Sequence, residues 1–354
     1  MRERAHTLAR KWKHVKRPGR ARRQREVPRL VPAAVGIGLV VVTAFALAVA
    51  LWRTYSPTTV AGMPVPETTD QCRSTPQFTA DPAVFTVASD QGAGTVSVPG
   101  ALALSTEGRE KGLALITGEA QAPYQHATWD DAGYLGAITY DRDGNIYAAP
   151  TPRLSLVDNP LAGVTTLWRV ASATAEMRPF VTLPGAANER NPFGVLGLFY
   201  TCDNNTLYAG TVIGSTPSNQ QGGVVAVHLS DGVIHRVLTN LDVMGVLVVR
   251  QGERLMLYAG LARSPDIVAV PLDEQGLAAG PITPLIDLTL AGATPQERAR
   301  KLRLVNGVLV ADLVPFNFSL QSSASGSSQL RRAAWEWDTV ASRWVVQQAA
   351  TSDS

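Results

Sequence analysis

Cysteine is almost missing from this chain. There are two, Cys72 and Cys202, and no CxxC pair, so nothing supports a thiol zinc site or a thioredoxin-like redox centre. Common catalytic signatures are missing as well. The sequence has no G-x-S-x-G elbow, no G-x-x-x-x-G-K-[ST] phosphate loop and no H-E-x-x-H helix. Lysine is scarce beside arginine, and Ala and Val are abundant, a composition associated with GC-rich bacterial genomes. His126, His228 and His235 are scattered without metal-ligand spacing, so ordinary hydrogen bonding is expected of them.

Charge is unevenly spread. Residues 1–30 hold twelve Lys and Arg against Glu3 and Glu26, a net +10. The other 324 residues hold 20 basic and 27 acidic side chains, a net −7. Between the two lies an uncharged run, Leu30 to Trp52, bounded by Arg29 and Arg53. As a helix it would be about 34 Å long, enough for a hydrocarbon core of about 30 Å. It is longer than a signal-peptide core and ends without an A-x-A-like site. Basic residues before the span predict a cytoplasmic N-terminus, with the C-terminal part outside the cell membrane. The tail 1–29 then lies against anionic lipid, and no nucleic-acid partner is expected. Residues 53–83, with five prolines, read as a stalk.

From residue 84 to 350 short apolar runs alternate with Gly, Pro, Asn and Asp. Three stretches match: GAITYDRDGNIYAA from Gly136, GLFYTCDNNTLYAG from Gly197 and GVLVVRQGERLMLYAG from Gly245. Their tyrosines, Tyr147, Tyr208 and Tyr258, lie 61 and 50 residues apart. A weaker copy, LRLVNGVLVADL, places Val310 52 residues further on. Each copy reads as a hairpin followed by two more strands, which is one propeller blade. The two extra residues of the third copy are expected in its hairpin loop. Runs within 84–129 (Phe85–Ala88, Thr95–Val98, Ala101–Leu104 and Leu113–Thr117) are expected to form a further blade and to lend a strand to the last one. The fold class is therefore all-β, a six-bladed β-propeller with five blades as the alternative, preceded by one transmembrane helix. QSSASGSS, 321–328, reads as a surface loop.

YDRDGNIYAA resembles the repeat core of NHL-type and gluconolactonase (regucalcin)-like propellers. The close match covers Tyr140 to Ala149; the likeness in architecture runs over 130–350. It implies a ligand site at the channel loops that enter each innermost strand. There the chain carries Asp131, Tyr134, Asn191, Asp242 and Arg300. It also implies that Asp131, Asn191 and Asp242 hold Ca²⁺ or another divalent cation; turn-capping roles facing water are the alternative reading of the same residues. The family's N-terminal acidic ligand has no counterpart.

In an oxidising compartment Cys72 and Cys202 either bridge the stalk to a blade or leave Cys202 a buried thiol. Two functions follow. One is a membrane-tethered module that binds an extracytoplasmic protein or glycan. The other is a metal-dependent, lactonase-like hydrolase.

Overall fold

The computed structural model describes residues 63–69, 77–78, 96–97, 102–104, 111–115, 125–152, 156–157, 159–320 and 331–347. The chain divides into two units, 1–60 and 61–354, and every described residue belongs to the second. The tail 1–29, the span read at 30–52, Cys72, the strand expected at Phe85–Ala88 and the loop 321–328 lie outside the described residues. Among the described residues no helix is long and apolar enough to cross a membrane.

The architecture is all-β. Five short strands come first: β1 (Pro66–Thr68), β2 (Gln77–Phe78), β3 (Val96–Ser97), β4 (Leu102–Leu104) and β5 (Leu113–Leu115). Four sheets follow in strict chain order. The first holds β6 (Leu135–Tyr140), β7 (Ile146–Pro150), β8 (Thr166–Val170) and β9 (Met177–Thr182). The second holds β10 (Val195–Thr201), β11 (Thr206–Thr211), β12 (Gly223–His228) and β13 (Ile234–Thr239). The third holds β14 (Val243–Gln251), β15 (Arg254–Leu261), β16 (Asp266–Leu272) and β17 (Thr283–Asp287). The fourth holds β18 (Glu297–Val305), β19 (Val308–Pro315), β20 (Arg331–Asp338) and β21 (Arg343–Val346). All pairs are antiparallel.

The inner strands β6, β10, β14 and β18 lie side by side in that order, and the sheets stack face to face. This is a propeller-like layout. Tyr147 packs with Leu207 and Ala209 between the first and second sheets. Tyr208 packs with Val246 and Leu257 between the second and third. Tyr258 packs with Leu309 and Trp335 between the third and fourth. Each repeated tyrosine thus lies between its own sheet and the next. Sheets buried on both faces need apolar residues at successive positions, which explains runs such as GVVAVH, buried over its first five residues.

Every inner strand carries a bulge at the same place: between Leu135 and Ala137, Val195 and Gly197, Val243 and Gly245, and Ala299 and Lys301. Counting from these bulges aligns Ala137, Gly197, Gly245 and Lys301. Gly136 is therefore the bulge residue of the first sheet, one position off the repeat glycine the sequence suggests. Gly197 and Gly245 have a packing reason. A Cβ at Gly197 would sit 2.5 Å from the Met244 carbonyl oxygen, and one at Gly245 would sit 2.6 Å from that of Ala299. Neighbouring inner strands thus meet backbone to backbone.

Ahead of residue 130, β2–β3 and β4–β5 form two two-stranded pairs; four full sheets stand among the described residues, and most of 84–129 lies outside them. Among the described residues the fourth sheet consists of β18 to β21 and includes no strand from 84–129. Two expectations need correction. Strand β1, from the segment read as a stalk, joins the inner edge of the third sheet, pairing Pro66–Thr68 with Val249–Gln251. Finally, the third hairpin does not carry its extra residues in its turn, which is as short as the fourth's, with two residues in each. Gln251 pairs directly with Arg254, leaving Gly252 (φ +63°) and Glu253 as the loop. Its two extra residues lengthen the strands, and β1 pairs with the extension.

Candidate functional site

The inner strands begin at one end of the sheets, the loop end, and run toward the hairpin turns at the other. At nine residues, β14 separates these ends by about 30 Å. The described chain enters at the hairpin end. There Met63 N–H donates to Ser342 Oγ (2.8 Å), and Gln251 Nε2 donates to the Pro64 carbonyl (3.1 Å).

At the hairpin end the first turn is built by Asp141. Its Oδ1 accepts from the N–H groups of Asp143 (2.9 Å) and Asn145 (3.0 Å). Its Oδ2 accepts from Asn145 Nδ2 and Tyr147 Oη, both at 2.9 Å. Burial, then the Asp141 charge, holds the Tyr147 hydroxyl far above its ordinary range. Cys202, partly buried in the second turn, is disulfide-bonded. The chain has one other cysteine, Cys72.

At the loop end, charge does the anchoring. Asp242, fully buried, precedes β14. Its Oδ1 accepts from Ser215 Oγ and from the Gly222 N–H (2.9 Å); its Oδ2 accepts from Arg263 Nε at 2.6 Å. Arg263 then donates to the carbonyls of Pro217 (3.0 Å), Thr216 (2.6 Å) and Asn219 (2.9 Å). Arg298, buried before β18's bulge, donates to the carbonyls of Ala262, Arg263, Pro295 and Glu297 at 2.6–3.1 Å. Burial pulls its guanidinium below the usual arginine range. Two charged side chains with this many backbone acceptors hold several loops in one arrangement.

An apolar cluster lies among these loops: Phe193, Leu196, Val212, Met244, Ala262 and Phe316, with Phe318 partly buried against it. Leu196 and Met244 are the bulge residues of β10 and β14. Phe316 packs edge-on to Phe193 at 5.3 Å and lies 4.9 Å from Phe318. The Arg263 guanidinium sits 4.9 Å above the Phe318 ring, a cation–π contact. Phe318 adopts φ +63°, a left-handed conformation uncommon for a bulky residue.

The expected site residues fall as follows. Asp131 is exposed ahead of β6. Tyr134 is tied through its backbone to Asn159 (3.2 and 3.0 Å). Asn191 is fully buried; its Nδ2 donates to the Val212 carbonyl (2.7 Å) and its Oδ1 accepts from the Phe193 N–H (3.2 Å). Arg300 is the bulge residue of β18, and its Nη2 donates across to the Gly136 carbonyl (3.3 Å). Asn191 and Asp242 both fasten the loop after β11, but each is already engaged by protein groups. A divalent cation at Asp242 would meet the Arg263 guanidinium, a like charge at ion-pair distance. The donor set therefore does not fit such a cation. Among the described residues no three His, Cys, Asp or Glu side chains gather where a metal ion could be held.

His228 and His235 lie edge-on at 5.3 Å, and His228 Nδ1 is 3.0 Å from Thr206 Oγ1, as ordinary hydrogen bonding requires. Arg263 and Phe318 were missed in the sequence. Nothing in their local context distinguishes them, since 55 residues separate partners that touch only in the fold.

No family model matches the chain, and no curated protein is similar to it. Solved structures share a weak likeness. The extracellular domain of BT4673 from B. thetaiotaomicron has a TM-score of 0.37 at 12% identity, covering 59% of this chain and 24% of that one. The exo-β-1,3-galactanase of Phanerochaete chrysosporium has a TM-score of 0.41 at 11% identity, covering 68% and 56%. A Bacteroides uniformis protein assigned as a 6-phosphogluconolactonase has a TM-score of 0.35 at 12% identity, covering 67% and 63%. Likeness at this level assigns this chain neither ligand nor activity.

Proposed function

We propose that this chain is a membrane-tethered, extracytoplasmic binding module that takes a protein or glycan ligand on its loop end. One observation carries the reading. Asp242, Arg263 and Arg298 lock the loops that enter the inner strands, and the partly open Phe318 is held against Arg263. A preorganised platform with an aromatic face loses little entropy on binding. In this reading residues 30–52 cross the membrane, residues 1–29 stay in the cytoplasm, and Cys202 pairs with Cys72 near the tether. The described chain enters at the hairpin end, opposite the loop end.

The full chain in lipid nanodiscs, applied to an oligosaccharide array and to extracellular protein fractions, tests this. The wild type is expected to retain a ligand that Phe318→Ala loses by about tenfold or more, the scale of one aromatic anchor. Equal retention by the variant would remove the loop end as the site. Lactone turnover that requires an added divalent cation would favour the hydrolase reading instead.

A further inference from the structure

The face that each sheet turns toward the next follows one pattern, and the fourth sheet departs from it. In the second sheet the row aligned on the bulge is Gly197, Gly210 and Val224; in the third it is Gly245, Gly260 and Ile267. Those glycines let the following inner strand approach. In the fourth sheet the same row is Lys301, Asp312 and Arg332. Two residues along, on the same face, Tyr208 and Tyr258 are matched by Val310, and Phe199 and Leu247 by Arg303. A face built to admit a neighbouring strand has become a face built of charge.

Asp312 is 6% exposed. Arg303 grips it with both terminal nitrogens, at 2.6 and 2.9 Å, and Arg332 Nε donates to it at 3.1 Å. One carboxylate thus serves two arginines, with Lys301 directly opposite it in register. Among the described residues Lys301 makes no ion pair. Burial, then Arg303, Arg300 and Arg332, hold its ammonium below the usual lysine range, against the pull of Asp312. Further along the same face, Glu336 accepts from Gln347, and Asp338 accepts from the turn amides of Val340 and Ala341. Arg343 lies opposite Asp338 in register.

We propose that Lys301, Arg303 and Arg332 form a binding site for an oxyanion: a carboxylate, sulfate or phosphate group, carried on a sugar or free in solution. Asp312 sets the two guanidinium planes, and the surplus positive charge supplies the attraction. Lys301 and Arg332 are the exposed members; the Arg332 side chain is 66% exposed, and its terminal nitrogens are not used by Asp312. The site is separate from the loop-end platform, so either can fail without the other.

The test uses the full chain in detergent micelles and reads acetylation of each lysine by an amine-reactive ester, using peptide mass spectrometry. Lys301 is the sole lysine after Lys111, which serves as the internal reference. The probes are inorganic phosphate, inorganic sulfate, oligogalacturonate and a neutral maltooligosaccharide, at matched ionic strength. At least one anionic probe is expected to slow Lys301 acetylation about tenfold, as a charge-assisted contact would, with no effect from the neutral sugar. Arg332→Gln should abolish the protection, while Arg332→Lys, which keeps the charge, retains part of it. Protection by oligogalacturonate alone assigns a sugar acid; protection by phosphate or sulfate alone assigns a free anion. Equal acetylation with and without every anion would overturn the proposal. So would undiminished protection in Arg332→Gln, or a Lys301 that reacts only after denaturation, because the chain itself would then cover this face.

Discussion

The second and third sheets differ from the fourth in the face each turns forward. Two sheets present glycines and a buried tyrosine, and each is covered by the next sheet. The fourth presents Lys301, Arg303, Asp312, Arg332 and Val310. All three share the four-strand order and the bulge of the inner strand. The difference shows that sheet stacking here is decided by side-chain volume and charge at a few aligned positions.

The comparison breaks most readily at its tyrosines. Tyr258 is 1% exposed between the third and fourth sheets. Tyr258→Ala should cost about 3–5 kcal/mol, in the range of large-to-small core changes, whereas Val310→Ala at the aligned position should cost about 1 kcal/mol or less. Chemical denaturation of the full chain followed by tryptophan fluorescence measures both. Similar losses would mean that the fourth sheet is covered like the others.

Alkaline titration sharpens the same contrast. Burial pushes the hydroxyls of Tyr208 and Tyr258 up from 10.0 to about 12. The folded chain keeps these protons at a pH where the unfolded chain has released them. Their contribution is therefore complete below pH 10 and is lost as pH rises through about 12. The loss should be about 2–3 kcal/mol for each tyrosine. A denaturation series across that window checks it, and a flat profile would mean that these hydroxyls ionise freely in the folded chain.

The smallest expected effect separates the two tyrosines. Tyr208 Oη donates to the Gly276 carbonyl at 3.0 Å, so Tyr208→Phe should cost about 1 kcal/mol. Tyr258 Oη faces the Trp344 indole N–H, which opposes the upward push of burial, but the two do not meet hydrogen-bond geometry. Tyr258→Phe is expected to be close to neutral, or slightly stabilising, in the same assay.

Much of this architecture was legible in the chain. The Tyr-Ala repeats marked the second strand of the first three sheets, and Val310 falls at the equivalent place in the fourth. The two strands read after each hairpin are the third and fourth strands of each sheet. The hairpin insertion was misread because extra residues lengthen a loop or a strand pair equally well in one dimension. Pairing with β1 favours the strand. Asn191 and Asp242 read in the sequence as channel-loop ligands with turn capping as the alternative, and the groups they engage, such as the Val212 carbonyl and the Ser215 and Arg263 side chains, are 21–27 residues away. The Lys301 row left a faint trace: the fourth copy lacks the repeat glycine and directly follows the last lysine of the chain.

Alternation of apolar residues, turn chemistry and a repeating tyrosine determined the strands, their order and their grouping in fours, because these are local properties with a fixed period. The sequence alone also placed an uncharged run behind a basic tail. The face each sheet buries was decided only by the fold, together with β1 at the third sheet, the lock of Asp242, Arg263 and Arg298, and the charged row of the fourth sheet. Each depends on partners far apart in the chain, and contact between them exists only once the sheets have stacked.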